Sequence, residues 1–451
     1  MKKISRRSFL LSVGAASLAA TAVACSSEST STATSTSTDS TTSTDDTAAA
    51  SPVDVTLWTF PIGSWGDEET LNSMIANFNT VYPDINVSIQ LLDYTNGDDQ
   101  VTSAIQGGTT PDMIMEGPER LVSNWGAAGV MVDLADLWDD ASTSDISAVS
   151  ESVVSACFDE TGASYEYPLC MTTHTMAINY DVFEAADALQ YLDVENRTWT
   201  TDGYVAAMEA VAASGAVVTP GIVYCGGVGG DQGTRALVNN LYSGTYTDAA
   251  HTEYTINSAE NVAALNLLKD MVANGSISSD ASFVASDELQ AFANGTCATT
   301  ICWNASNEAA YASQVAFTPY AMAFPSDEGV AELCGGIWGF GVFDNGDDAK
   351  IEAAKTFIKF MTEDASQAVD SVVATGFFPV RSSLGDVYTG TEKESTMAAY
   401  VDLMQYLGDY YNVTPNWTEQ RTAWWNMLQQ LFDGGDAQEV ADAFCETVNI
   451  F

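Results

Sequence analysis

Ten tryptophans are spread along a chain of 451 residues, and several stand beside Gly, Pro or Asn, where strands and helices give way to loops. Trp58 and Phe60 follow a first apolar stretch, with Trp65 shortly after; Trp303 is followed by Asn304; Trp338 sits among glycines; Trp417, Trp424 and Trp425 precede or open a late helix. Aromatic planes beside polar edges suit a sugar ring, whose CH groups form one face and whose hydroxyls line the rim. Core packing is the competing use of every such ring. It is the expected one for Trp125, Trp138, Trp199 and one of Trp424 and Trp425.

Other chemistries find little footing. The only histidines are His174 and His251, and no Cys-x-x-Cys occurs, so neither a metal site nor a cofactor is expected. Cys225-Gly-Gly-Val-Gly-Gly-Asp231-Gln232-Gly233 has the glycines of a phosphate loop without the Lys-Ser/Thr that completes one, and reads as a flexible loop presenting Asp231 and Gln232. Asp344 to Asp348 fails as a calcium loop, because its twelfth position is Lys355, and reads as a helix start. A Gly-x-Ser-x-Gly elbow is missing. Paired carboxylates of a secreted glycoside hydrolase are the alternative reading, but 61 acidic residues make chance pairs inevitable. Non-catalytic binding is therefore expected.

The compartment is written in the first residues. Residues 1–24 have a basic start, Ser5-Arg6-Arg7-Ser8-Phe9-Leu10 of twin-arginine type, and an apolar run leading to Thr21-Ala22-Val23-Ala24-Cys25. That ending resembles a bacterial lipobox, so Cys25 is the expected acylation site, and residues 25–52, almost wholly Ser, Thr, Ala and Asp, are an expected tether. Its 26 residues from Ser26 to Ser51 would reach roughly 28 Å as a flexible coil. After Pro52 no apolar run approaches the ~20 residues needed to span a bilayer. Without the leader, ten basic residues face 61 acidic ones, a formal charge of −51. Such a field repels phosphates and excludes a nucleic-acid partner. The seven remaining cysteines are an odd number; Cys157 and Cys170 flank a hairpin and either bridge it or stay as buried thiols.

The elements that must position these residues read as α/β. Val53 to Trp58 alternates like a strand, and Leu71, Met74, Ile75, Phe78 and Val81 recur at helical spacing until Pro83. Val87, Ile89 and Leu91 alternate again, completing a β-α-β unit with a parallel crossover. A helix from Asp98 to Gln106 and a short strand Pro111–Met115 follow, then a capped helix beginning at Asn257-Ser-Ala-Glu260 and a last one at Asp436. Some 400 residues exceed what one core usually serves, so two domains are expected.

The order of segments resembles the family 1 extracellular solute-binding proteins of ATP-binding-cassette importers, the maltose-binding-protein-like group. The resemblance rests on Tyr82-Pro83-Asp-Ile-Asn-Val87, Thr110-Pro111-Asp112-Met-Ile114, Tyr167-Pro168 with Met176 to Phe183, Phe292-Ala-Asn-Gly295 before Ala298 to Trp303, Gly335-Gly-Ile-Trp-Gly-Phe340 and Gly376-Phe-Phe-Pro-Val-Arg381. It implies a two-lobed fold with crossing hinge strands: lobe one at 53–170 and 329–378, lobe two at 171–328 and 379–451. It further implies a sugar or oligosaccharide held between the lobes, permease subunits of a transporter as partners, contact with the membrane through the lipid alone, and a monomer. Glu119-Arg120 match the family's acidic-arginine pair that grips hydroxyls, while Glu116 replaces the family aromatic, which argues against maltose itself. Thr172 falls where a family carboxylate stands, followed by Thr173 and His174, and Trp303 and Trp338 fall at strand ends facing the cleft.

Overall fold

The computed structural model describes residues 52–94, 96–227, 230–328 and 335–450. The expected leader, Cys25, nearly all of the tether, and Cys334 lie outside the described residues.

Eleven strands are described: β1 Val53–Thr59, β2 Ile85–Leu91, β3 Met113–Glu116, β4 Tyr167–Thr173, β5 Thr175–Asn179, β6 Ile222–Tyr224, β7 Ser278–Asp280, β8 Thr299–Trp303, β9 Pro319–Met322, β10 Gly335–Val342 and β11 Phe378–Pro379. β1 alternates, turning Val55, Leu57 and Thr59 inward. The helix Glu68–Val81 starts where the Asp67 side chain accepts from the Thr70 N–H at 2.8 Å, buries Leu71, Met74, Ile75 and Phe78, and stops before Pro83. β2 then pairs parallel to β1, as the β-α-β pattern requires, and β3 pairs parallel on the other side.

The first lobe carries a six-stranded sheet in the order β11-β4-β10-β3-β1-β2, and the second a three-stranded sheet β8-β5-β9 with a separate pair β6-β7. Each has its own core. One gathers Leu57, Phe78, Ile114, Phe340 and Phe357; the other gathers Ile178, Tyr204, Leu265, Phe292 and Leu428. The fold is the two-lobed α/β architecture that the sequence implies. His174, between β4 and β5, is where the chain leaves one sheet for the other.

A third, smaller cluster joins them: Met171 of β4, Ile337 of β10 and Val380 just after β11 meet Ile146, Val153, Ala156 and Tyr410. The glycines of β10 serve this approach. A Cβ on Gly339 would sit 2.4 Å from the Tyr167 carbonyl oxygen and 2.6 Å from the Pro168 Cα, so only glycine fits where β10 shifts register against β4. Cys157 and Cys170 are both buried free thiols, which decides that alternative against a bridge. Asp347 caps the helix Asp348–Glu363, as the helix-start reading of that acidic run expects.

The second core encloses an acid on a short helix. Glu288, fully buried on the helix Ala285–Ala293, accepts from Thr300 Oγ1 at 2.6 Å and Ile301 N–H at 3.0 Å, and burial pushes its carboxyl up to about 8. The folded chain thus holds this proton up to about pH 8, whereas an unfolded chain releases it near 4.5. Stability from this group is present at the acidic end and is lost as pH rises through that window, by an amount on the order of a few kcal/mol. Thermal denaturation should therefore show the melting temperature falling between pH 5 and 8, with a smaller fall in Glu288→Gln; equal slopes in the two proteins would contradict this account.

Candidate ligand-binding site

β3 ends at Glu116, and Pro118 opens a helical turn that runs into the π-helical turn Leu121–Gly126, placing Arg120 one turn beyond Glu116. The Arg120 guanidinium donates to Glu116 Oε1 at 2.6 Å and grips both oxygens of Asp98, from the first turn of the helix Gly97–Gly107, at 2.7 and 3.0 Å. Glu119 Oε1 stands 3.7 Å away. The cation also lies 5.4 Å over the Phe60 ring and 6.0 Å over Tyr94; those rings stack at 4.9 Å, and Tyr94 is exposed. One guanidinium cannot neutralise three carboxylates. Burial, with Glu119 and Asp98 adding repulsion against the pull of Arg120, pushes Glu116 up to about 8, so it keeps its proton at neutral pH. Asp98 goes the other way: burial opposes ionisation, but the Arg120 hydrogen bond and charge outweigh it and hold Asp98 below its ordinary value.

The second lobe supplies two more arginines. Asp231 precedes the helix Gln232–Leu241, pairs with Arg235 one turn on at 2.9 Å, and accepts from Arg421 of the helix Trp417–Phe432 at 3.0 Å. Against the burial that would raise it, these two cations hold Asp231 below the usual range. Arg235 is boxed by Trp417, Tyr246 and Tyr411 at 4.6, 5.0 and 5.2 Å, and donates to Asn412 Oδ1 at 3.0 Å. Arg421 joins the two groups, because its charge also favours ionisation of Asp98 and Glu116 across the junction.

His174 stands near Asp231 and Arg235, and neither of its ring nitrogens has a hydrogen-bond partner. Burial and the Arg235 charge lower its pKa to about 4, so it is neutral, with one nitrogen to donate and one to accept. Thr173 Oγ1 and Glu116 Oε2 are also buried without partners. Tyr246 and Tyr411 further line a cavity of about 440 Å³ with Asn239, Asn240, Asp248 and Asp409.

The structure thus brings together Phe60, Glu116, Glu119, Arg120, His174 and Asp231 from the residues expected by sequence. It places others elsewhere. Trp65 is fully buried in the first core, its indole N–H donating to the Ser371 carbonyl at 2.9 Å, and Trp58 packs half-buried against the same core. Trp303 is fully buried in the second core, edge-on to Phe292 at 5.4 Å, because it shares its face of β8 with Ile301. Asn304 caps a helix, accepting from the Asn307 N–H at 2.8 Å. Trp338 stacks on Phe377 at 4.7 Å and its ring lies against Gly336, partly buried on the first core. Trp424 is core, donating to Thr234 Oγ1 at 2.8 Å, and Thr172 is buried within β4 against Gly336. Tyr94, Asp98, Arg235, Tyr246, Tyr411, Trp417 and Arg421 were not expected in this role. The signal for some was there: Asp231 and Arg235 stand at helical spacing, and Trp417, Arg421 and Trp425 recur every four residues on one helix face.

A family model described as bacterial extracellular solute-binding protein matches residues 73–401. No curated protein matches the chain. Among solved structures, it is similar to an ABC substrate-binding protein from Listeria monocytogenes in complex with cycloalternan (19% identity, TM-score 0.69, covering 88% of this chain and 98% of that one). It is also similar to the GacH receptor of Streptomyces glaucescens, solved unliganded and with acarbose (16%, 0.69, 89% and 99%), and to the cyclic alpha-maltosyl-1,6-maltose binding protein of Arthrobacter globiformis (21%, 0.69, 88% and 98%).

The corrected place of Trp303 has a measurable consequence. Trp303→Ala should destabilise the fold by about 3–5 kcal/mol, the range for emptying a buried aromatic site. Urea denaturation checks it, and a loss under 1 kcal/mol would return Trp303 to the cleft.

Proposed function

The chain belongs to the bacterial extracellular solute-binding proteins, and from that premise we propose that it captures a neutral sugar or oligosaccharide between its lobes and delivers it to the permease of an ATP-binding-cassette importer. The observation that carries the ligand class is the charge balance of the junction. Arg120, Arg235 and Arg421 face Asp98, Glu119 and Asp231, while Glu116 keeps its proton and His174 is neutral. Among the described residues of this group the charges balance, which suits a neutral ligand better than an ionic one. What is left is hydrogen-bonding capacity, at His174, Thr173 and Glu116, beside the exposed Tyr94 ring. Hydroxyl groups both donate and accept, and a sugar's CH face covers an aromatic plane, so a carbohydrate meets both needs. The bound cycloalternan and acarbose of the similar structures support the same class.

This reading divides the lobes at 53–170 with 329–378, and 171–328 with 379–451. It makes the protein a monomeric receptor without turnover, held at the outer face of the cytoplasmic membrane by a lipid on Cys25. A glycoside hydrolase fits less well, because Asp98, Glu119 and Asp231 are engaged by arginine or tyrosine, which leaves Glu116 as a protonated carboxyl with no free carboxylate paired to it for attack.

A thermal-shift panel of neutral sugars, polyols and oligosaccharides should contain a ligand that raises the melting temperature by mass action. Because the His174 nitrogens are unpartnered in the fold, His174→Ala should leave unliganded stability nearly unchanged while weakening that ligand by roughly 1–2 kcal/mol. If only charged solutes stabilise the protein, the ligand class is wrong; if His174→Ala binds as the parent does, the site is misplaced.

Anchoring is tested separately. Expressed in a bacterial host, Cys25→Ala should move from the detergent phase to the aqueous phase on partitioning and still bind the same ligand. A mutant that stays in the detergent phase would rule out the lipid on Cys25.

A further inference from the structure

The segment between the helices Glu394–Leu403 and Trp417–Phe432 ties the two charged clusters together in consecutive residues. Asp409 Oδ2 lies 2.5 Å from His251 Nε2 of the second lobe. Tyr410 turns the other way and donates its hydroxyl to Glu119 Oε2 at 2.7 Å. The Tyr411 ring caps Arg235 at 5.2 Å, and Asn412 Oδ1 accepts from the same guanidinium at 3.0 Å. The Val413 carbonyl then accepts from Ser123 Oγ, beside Arg120, at 2.7 Å. From Tyr410 to Val413 the contacts thus pass from Glu119 to Arg235, which both Tyr411 and Asn412 touch, and back to Ser123 on the segment that carries Arg120. The Tyr410 ring is itself packed among Met171, Ile337 and Val380, one residue from each segment that passes between the lobes.

We propose that residues 409–413 are a staple that fixes the angle between the lobes, and that Tyr410 is its positioning residue, holding Glu119 in place and linking that carboxylate to the hinge. The geometry leaves little room for another reading of the hydroxyl. A tyrosine needed only for packing in the hinge cluster would serve as well as phenylalanine, yet this one is buried with its polar end aimed at a carboxylate of the opposite group. A ligand group that draws on Glu119 would then alter the bond that sets closure. The inference reaches beyond the sugar reading and does not rest on it, because it is read on the protein without ligand.

Small-angle scattering of the ligand-free protein, with circular dichroism as the folding control, is the test. Tyr410→Phe keeps the ring and removes the hydroxyl, and should raise the radius of gyration by about 1 Å over the ~21 Å expected for a compact chain of this length. Glu119→Ala removes the same bond from the other side and should do likewise, Glu119→Gln should restore parental scattering through its amide oxygen, and Tyr410→Phe with Glu119→Ala should open the lobes no further than either alone. Parental scattering from both Tyr410→Phe and Glu119→Ala would overturn the staple; an effect of Tyr410→Phe that adds to that of Glu119→Ala would reduce Tyr410 to hinge packing.

Discussion

Three of the five arginines among the described residues converge on one junction, and a guanidinium cannot shed its charge by losing a proton. Taking such an ion out of water costs several kcal/mol unless carboxylates and hydrogen bonds surround it. Each lobe meets that need with its own carboxylates, Asp98 and Glu116 around Arg120 and Asp231 between Arg235 and Arg421, and the charge of Arg421 adds a weaker pull on Asp98 and Glu116 across the junction. Lysine would not substitute, since Asp98 is gripped through two parallel bonds and Arg235 lies flat among three rings.

That local balance explains how a chain with so large a negative charge can present a neutral site. The net field acts at long range, where it repels anions and is screened within about 8–10 Å by salt. At the junction the arginines cancel it, and the protonated Glu116 removes the remaining surplus. A solute entering there meets donors and acceptors rather than a field.

Much of this was legible in the sequence. The β-α-β grammar, the stop at Pro83 and the Asp347 and Asp436 helix starts follow from local chemistry, the two-lobed class was implied by the resemblance, and all appear in the structure. Start positions were less sure: β3 begins at Met113, two residues after Pro111, and Ser258 rather than Asn257 caps its helix. The site was half legible. Glu119, Arg120, His174 and Asp231 were singled out by resemblance and residue type and lie at the candidate junction, whereas Trp303 and Trp424 lie in the second core. A tryptophan beside a loop satisfies a core as well as a cleft, and only partners on the same face, Ile301 for one and Leu428 for the other, tell them apart. Rarity was the better guide: in a chain so poor in arginine, Arg235 and Arg421 were worth more attention than any ring.

The strongest argument for a ligand at the junction comes from what the protein leaves unpaired. Buried polar atoms without partners cost about 1–3 kcal/mol each, and folded proteins keep few of them. Here both nitrogens of His174 are in that state at the one residue between β4 and β5, with Thr173 Oγ1 next to it and Glu116 Oε2 at the end of β3, beyond β10 in the same sheet. His174 belongs to neither sheet, so its side chain could have been apolar with no loss to a ladder. A valine there would pack without penalty, whereas an imidazole held neutral offers a donor and an acceptor at the point where the lobes hinge. The set contains a hydroxyl that gives and takes, a protonated carboxyl, and an imidazole that does one at each nitrogen. Its complement is a group that also does both, and a ring of hydroxyls is the small solute that repeats such a group at every edge.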